Sequence, residues 1–305
     1  MIGTSKYAGF LILSSLVILH GCQKPGPAEL QPGNDVETIE VEPMAAVSSM
    51  FNEPDTTGLV RSDQLRYYAQ IVTAGVRSDE PNRTETSSIV RVIFTNRLQP
   101  IYRGPQYVGC WALDIGTVLV DGLPLFRVPR RLRVPINGTT TIVDTVVGVE
   151  YVLRNNNGIG GRGFTYAPKH QYDWRNTGYT GISLATQTRS ADEIRVLEPH
   201  TGWSVNRSNG LRVQWTGGED TIYVVISTRD SGQNTIPFMR LKIRGDRKQI
   251  VIPPKILRLL PSEGTTQFLF SFISQTRSEA TVTGYADPVL IHTASVHNIL
   301  LTIQR

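Results

Sequence analysis

Ser88-Ile89-Val90-Arg91-Val92-Ile93-Phe94-Thr95 is the stretch that decides the fold. Side chains alternate across an extended chain with a period of two. Ile89, Ile93 and Thr95 therefore share one side, and Val90, Val92 and Phe94 the other. Both sides are apolar, which suits a strand enclosed within a sandwich. The same signature recurs outward in both directions. Leu65–Val72 precedes it, and Cys110–Val120 and Leu123–Val128 flank Asp121-Gly122, a pair that turns a hairpin. Leu132–Ile136 leads into Asn137-Gly138, and Thr139–Val143 and Val146–Leu153 follow. Later come Leu211–Thr216, Thr221–Thr228, Phe238–Ile243, Gln249–Ile252, Gln267–Ser274 and Val289–Ile303. No apolar pattern of helical period and useful length occurs after residue 60. Glycine and proline, 27 and 18 of 305 residues, supply the turns that many short strands need. The expectation is an all-β chain.

The second half carries a more specific pattern. Ile194-Arg195-Val196-Leu197-Glu198-Pro199-His200-Thr201-Gly202-Trp203 resembles the opening of an immunoglobulin-like or fibronectin-III-like module, and Gly210–Thr216 resembles its second strand, with Trp215 as the buried tryptophan. The resemblance implies an Ig-like β-sandwich over residues 194–305, although the cysteine pair of antibody domains is missing. Residues 61–193 read as a second, looser sandwich. In it, Gly116–Leu125, followed by Tyr151–Asn155 and Gly163–Pro168, resembles the hairpin and tyrosine-bearing strands of surface lipoprotein modules.

The first 22 residues are of another kind. Lys6 gives a positive start, Tyr7–Leu19 is an apolar run, and Leu19-His20-Gly21-Cys22 closes it. A membrane-spanning helix needs about 20 apolar residues, whereas a run of this length fits the core of a signal peptide. The close resembles the lipobox of bacterial lipoproteins, with His20 departing from the small or aliphatic residue usual there. That resemblance implies acylation of Cys22 (palmitate among the chains), cleavage before it, and a lipid anchor in place of a transmembrane helix. Gln23 and Lys24, where enterobacterial sorting would read an aspartate for retention, imply the outer membrane of the bacterial cell envelope. With Cys22 acylated, Cys110 is left without a disulfide partner, and its apolar setting predicts a buried, inert thiol.

Residues 23–60 hold seven acids against Lys24 alone, with five prolines, and read as a flexible acidic linker. Val36–Val47 within it is compatible with a short helix or strand. Residues 61–305 hold 29 basic and 19 acidic residues, so a basic body follows an acidic stalk. Arg127, Arg130, Arg131 and Arg133 form one cluster, and Lys242, Arg244, Arg247 and Lys248 another. Strand edges guarded by charge account for them. Contact with an anionic envelope surface is the functional alternative. Nucleic acid is disfavoured, because the signal directs the chain out of the cytoplasm.

Catalytic constellations are hard to find. His292 and His297, five apart, fall on opposite faces of a strand, and no spacing of a zinc site occurs, so neither a metal nor a cofactor is expected. Gly158, Gly160, Gly161 and Gly163 lack the helix opening that a phosphate loop requires and read as a flexible loop. Asp173, Asp192, Glu193 and Glu198 have no fixed separation that would make them a glycosidase pair. Tyr166, Tyr172, Trp174 and Tyr179 gather with His170 in one loop-rich stretch. They read either as an aromatic mini-core or as a speculative ligand-binding face on which a sugar or peptide could stack. The leading expectation is a membrane-anchored envelope lipoprotein whose body is a non-catalytic binding or scaffolding module, meeting an anionic surface, a glycan or other envelope proteins. A carbohydrate- or peptidoglycan-binding lipoprotein is the alternative, a hydrolase on a β-scaffold stands behind it, and an outer-membrane barrel is disfavoured because the strands lack a sustained apolar-out alternation.

Overall fold

The structure, a computed structural model, describes residues 39–43, 67–103, 106–132, 145–155, 163–178, 181–229, 235–262 and 267–304. It is all-β, with one four-residue helix among the described residues. In chain order the elements are β1 (Glu40–Pro43), β2 (Ala69–Glu80), β3 (Arg83–Arg103), β4 (Gln106–Ala112), β5 (Thr117–Val120), β6 (Leu123–Pro124), β7 (Phe126–Leu132), β8 (Thr145–Asn155) and β9 (Gln171–Thr177). There follow β10 (Ala185–Arg189), β11 (Ile194–Glu198), β12 (Ser204–Asn206), β13 (Leu211–Gly217), β14 (Thr221–Arg229), β15 (Thr235–Arg244) and β16 (Gln249–Ile252). Helix α1 (Pro254–Leu257) then precedes β17 (Gln267–Ala280) and β18 (Val289–Gln304).

Three sheets result. The largest runs β1-β15-β14-β17-β18-β2-β3-β8-β7, with β12 also paired to β18 and β4 to β3. The second is β10-β9-β5-β6 and the third β11-β13-β16. β18 organises the whole. It pairs antiparallel with β17 from Val289↔Ala280 to Thr302↔Gln267, and parallel with β2 from Val289↔Ala69 to Ile299↔Asp79.

The odd-numbered residues of β18 show how the layers are divided. Val289 and Ile291 join Ile71, Val92, Phe94 and Trp174 in the core under the four-stranded sheet. Ile299, Leu301 and Ile303 join Val213, Trp215, Phe270 and Phe272 in the core under the three-stranded sheet. Both small sheets thus cover one face of the large one. Ala74, Val225, Ile273, Ala294 and Val296 form a smaller apolar cluster on the opposite face. Each core gains its stability from apolar area withdrawn from water.

Between the two cores, the same face of β18 turns polar. Thr293, Ser295 and His297 are all buried. Each accepts a backbone N–H from the chain passing overhead. Ala191 donates to Thr293 Oγ1 at 2.7 Å, Ile194 to Ser295 Oγ at 3.1 Å and Val196 to His297 Nδ1 at 2.7 Å. These amides would otherwise be buried donors without acceptors. The row therefore staples the passage from β10 to β11 onto the large sheet.

The expected division at 193–194 falls on that passage in sequence, β10 ending at Arg189 and β11 beginning at Ile194. The backing sheet nevertheless runs behind both halves, so the two sandwiches share one layer and are not separate bodies. Part of the expected linker is also structured: β1 pairs with β15 from Glu40↔Lys242 to Pro43↔Met239. Glu40 meets Lys242 Nζ at 2.9 Å, and Glu42 lies 3.7 Å from Arg240 Nε. Opposite charge at Glu40 and Glu42 thus helps to hold β1 as an edge strand beside Lys242 and Arg240.

Candidate interaction surface

The aromatic cluster expected as a stacking face is mostly core. Trp174 has no exposed surface and Tyr172 only 2%. β9 alternates Tyr172 and Trp174 inward with Gln171 and Arg175 outward. Trp174 Nε1 donates to Thr188 Oγ1 at 3.0 Å, and the Tyr172 hydroxyl accepts the Ala167 N–H at 2.8 Å. Tyr166 is half-buried. Its hydroxyl donates to the Ala191 carbonyl at 2.8 Å, and its ring lies so close to Gly75 of β2 that a Cβ there would sit 2.7 Å from it. Tyr172 and Trp174 offer no open face and Tyr166 is packed on Gly75, so the three do not form a shared stacking face. Tyr179 and Cys22 lie outside the described residues, as do most of the glycine-rich loop and Asn137-Gly138.

The other candidate groups do not converge. His170 Nε2 lies 2.7 Å from Asp121 Oδ2 on the surface, but the nearby Ser190 Oγ donates to the Ala167 carbonyl at 2.5 Å and accepts the His170 N–H. Asp173 pairs with Arg175 at 2.7 Å and Asp192 with Lys169 at 2.9 Å. His292 meets Gln275 at 2.9 Å on one face of β18, while His297 meets Asp79 at 2.8 Å on the other. No group of three or more His, Cys, Asp or Glu able to hold a metal occurs among the described residues. In the second basic cluster, Arg244 pairs with Asp246 at 2.5 Å, and Lys248 Nζ donates to the Gly217 carbonyl at 2.7 Å.

The surface that remains is an arm built from β3 and β4. β3 is 21 residues long and changes partners along its length. Up to Phe94 it lies against β2, with β8 on its other side, and from Thr95 onward it pairs with β4. Between Asn96↔Trp111 and Pro100↔Cys110 the register slips, leaving Arg97, Leu98 and Gln99 unmatched. Such a bulge bends a strand, and Pro100 has no N–H to continue the ladder. Asn96 Oδ1 accepts the Leu98 N–H at 3.0 Å, and the Leu98 side chain stands 82% exposed. Beyond the bulge Tyr102 and Tyr107 face each other, with ring centroids 5.9 Å apart edge to face.

Eleven large apolar side chains are exposed among the described residues. Leu98, Tyr102, Tyr107 and Trp111 are on the arm, and Phe126 and Val146 are on the neighbouring β7 and β8. That more than half gather at one end of the sheet makes this a patch rather than scatter. The arm's base is held firmly. The Tyr285 hydroxyl donates to the Thr95 carbonyl at 2.7 Å, and Arg97 pairs with Asp287 at 2.9 Å. Arg130 of β7 lies 3.4 Å from the Cys110 carbonyl. Cys110 is buried, as its apolar setting predicts, and lies 3.2 Å from the Tyr107 hydroxyl.

Gly148 of β8 lies tight against β4. Its φ is +105°, and a Cβ there would lie 2.1 Å from the Ala112 carbonyl oxygen. Gly148→Ala must therefore push β4 off β8, with an expected loss of about 1–3 kcal/mol and faster proteolysis within 98–111. An unchanged cleavage pattern would show that β4 does not rest there. Sequence reading missed the arm because Cys110–Val120 scans as one strand. The available signal was Tyr102 and Tyr107 flanking Gly104-Pro105, aromatic residues on both sides of a turn pair.

In comparisons with known proteins, the chain matches no family, no curated protein and no solved structure.

Proposed function

We propose that the chain is a lipid-anchored protein of the bacterial envelope whose β body serves as a non-catalytic binding or scaffolding module. The observation that carries this reading is the sequence from Lys6 to Cys22, a positive start and a short apolar run ending in Leu-His-Gly-Cys. The body supports it in kind. Its buried polar side chains are spent largely on holding strands together, as in the Thr293, Ser295 and His297 row, and its exposed apolar residues concentrate on one arm. The glycan-binding alternative loses the faces of Tyr172 and Trp174, which are enclosed. The hydrolase alternative is left with His170 and Asp121, and the histidine's ring holds no nucleophile among the described residues.

The test is chemical. Cells expressing the chain and fed a labelled palmitate should incorporate label into it, with mass spectrometry placing the acyl chains on an amino-terminal Cys22. Cys22→Ser should abolish the label and release the body from the membrane fraction. Recovery of the wild-type chain from the cytosol with an unmodified Cys22 would end the reading.

A further inference from the structure

We propose that the β3–β4 arm is a second membrane contact, docking on an anionic phospholipid bilayer so that the β body lies against the membrane from which it hangs. The inference rests on the envelope reading above and names the surface the body meets.

The chemistry of the arm fits a lipid interface. Tyr102, Tyr107 and Trp111 each combine an apolar ring with a polar tip, the composition that settles at the level of lipid headgroups. Leu98, at the crest of the bulge, is the most exposed of the large apolar side chains and stands where it can enter the acyl boundary. Charge agrees. On and beside the arm Arg91, Arg97, Arg103, Arg127, Arg130 and Arg131 stand against Asp114, Asp121, Glu150 and Asp287, with Glu150 at 2.6 Å from Arg91 and Asp287 at 2.9 Å from Arg97, so a small positive excess remains. Of these, Arg127 and Arg131 are exposed on the edge strand β7. Arg127 has Asp114 at 2.6 Å, so the field comes from the group as a whole. Basic residues beside a bilayer are drawn to anionic headgroups.

Shape favours lipid over a protein partner. A stable protein interface needs an extended, complementary area of about 1,000 Å² or more. The exposed apolar residues of the arm lie instead along a two-stranded hairpin broken by a three-residue bulge, and lipid accommodates such a row without a matching surface. Topology permits the contact. β1, where the amino-terminal segment joins, is eight strand positions from β7, about 38 Å at about 4.8 Å per strand. The 18 residues from Cys22 to Glu40 can reach at most about 65 Å. One bilayer can therefore hold both the anchor and the arm. Stable attachment through two signals is the general rule for lipidated proteins.

Tryptophan quenching reads the contact directly. The chain has four tryptophans, of which Trp174 and Trp215 are buried, while Trp111 on the arm and Trp203 elsewhere are exposed. The mature protein, purified from membranes, is placed on vesicles of brominated phosphatidylcholine with or without phosphatidylglycerol. Fluorescence should be quenched on the anionic vesicles. Trp111→Phe should remove most of that quenching, and Trp203→Phe should leave it intact. Arg131→Gln should weaken the contact about fivefold, the equivalent of about 1 kcal/mol for one basic residue. Raising salt from about 0.1 M to about 1 M should weaken it further, because the screening length falls from about 10 Å to about 3 Å.

Protein that stays on the vesicles with Trp111 unquenched overturns the docking while leaving the anchor in place. Quenching that follows Trp203 overturns it as well. Equal quenching on neutral and anionic vesicles removes the charge argument and overturns the stated partner. Trp111 protected instead by a co-purifying envelope protein, with no response to lipid, assigns the arm to a protein partner and overturns it too. Trp111 quenching by a chain that mass spectrometry shows to be unacylated would support docking while the lipoprotein reading fails.

Discussion

Trp174→Ala is expected to lower the free energy of unfolding by about 3–5 kcal/mol. The ring has no exposed surface and sits between the four-stranded sheet and the backing sheet, with Tyr172 at 6.4 Å, edge to face. Truncation removes that packing, leaves a cavity and strands the Thr188 hydroxyl that accepts its N–H at 3.0 Å. The urea midpoint should fall with little change in slope. Trp174→Phe separates the contributions, restoring much of the volume while losing the hydrogen bond, at about 1 kcal/mol. Trp215 provides the contrast, since its buried Nε1 finds no partner among the described residues. Trp215→Phe removes a stranded donor and should cost less than Trp174→Phe. A Trp174→Ala protein within about 0.5 kcal/mol of wild type, the range of a surface substitution, would place the ring outside the core and reopen it as a ligand face.

That expectation also shows where sequence reading succeeds and where it stops. Local alternation was legible. The inward set Val90, Val92 and Phe94, and the set Leu211, Val213 and Trp215, are buried as their period requires. The Asp121-Gly122 pair turns β5 into β6, with Asp121 at φ 48° and Gly122 at φ 78°. Pairing across the chain was not legible. β2 and β18 lie about 220 residues apart, and parallel pairing needs no turn residues between partners, so nothing local announces it. Nothing within the strand Val289–Ile303 marks Thr293, Ser295 and His297 as acceptors, because that role depends on where residues 191–196 pass. The aromatic cluster stayed open between a mini-core and a stacking face for the opposite reason. Composition marks Tyr172 and Trp174 as large and amphipathic, but burial is set by β10 and the backing sheet, which a local window does not contain. The arm escaped because an exposed aromatic and a core aromatic look alike until the strand's partners are known.

Stability is expected to fall as the pH drops below about 6.5, with His297 as the main source. Its Nδ1 accepts the Val196 N–H, a group that can only donate, so the proton of the neutral ring is on Nε2 and is donated to Asp79 at 2.8 Å. Burial pushes the imidazole below its ordinary value, Asp79 opposes this, and Arg77 and Arg195 add to the lowering. At Asp79 burial works upward, but hydrogen bonds from Thr84 and His297 prevail and hold the carboxyl below the usual range. The sign follows. Just below pH 6.5 the unfolded chain takes up a proton that the folded one refuses, so the stabilisation present above 6.5 is lost as the pH falls toward the folded value. The limiting slope is about 1.4 kcal/mol per pH unit for one proton. Asp79 contributes separately, from about pH 3.8 downward. Once protonated, Nδ1 confronts the Val196 N–H as a second donor, and the last link of the staple between the two cores opens first. Urea midpoints at pH 7, 6 and 5 should decline in the wild type and in His200→Gln. His297→Gln, which keeps one acceptor and one donor but does not titrate, should start lower and show a flatter profile. Parallel declines in all three proteins would mean that the acid sensitivity lies elsewhere and that the row on β18 is a passive contact.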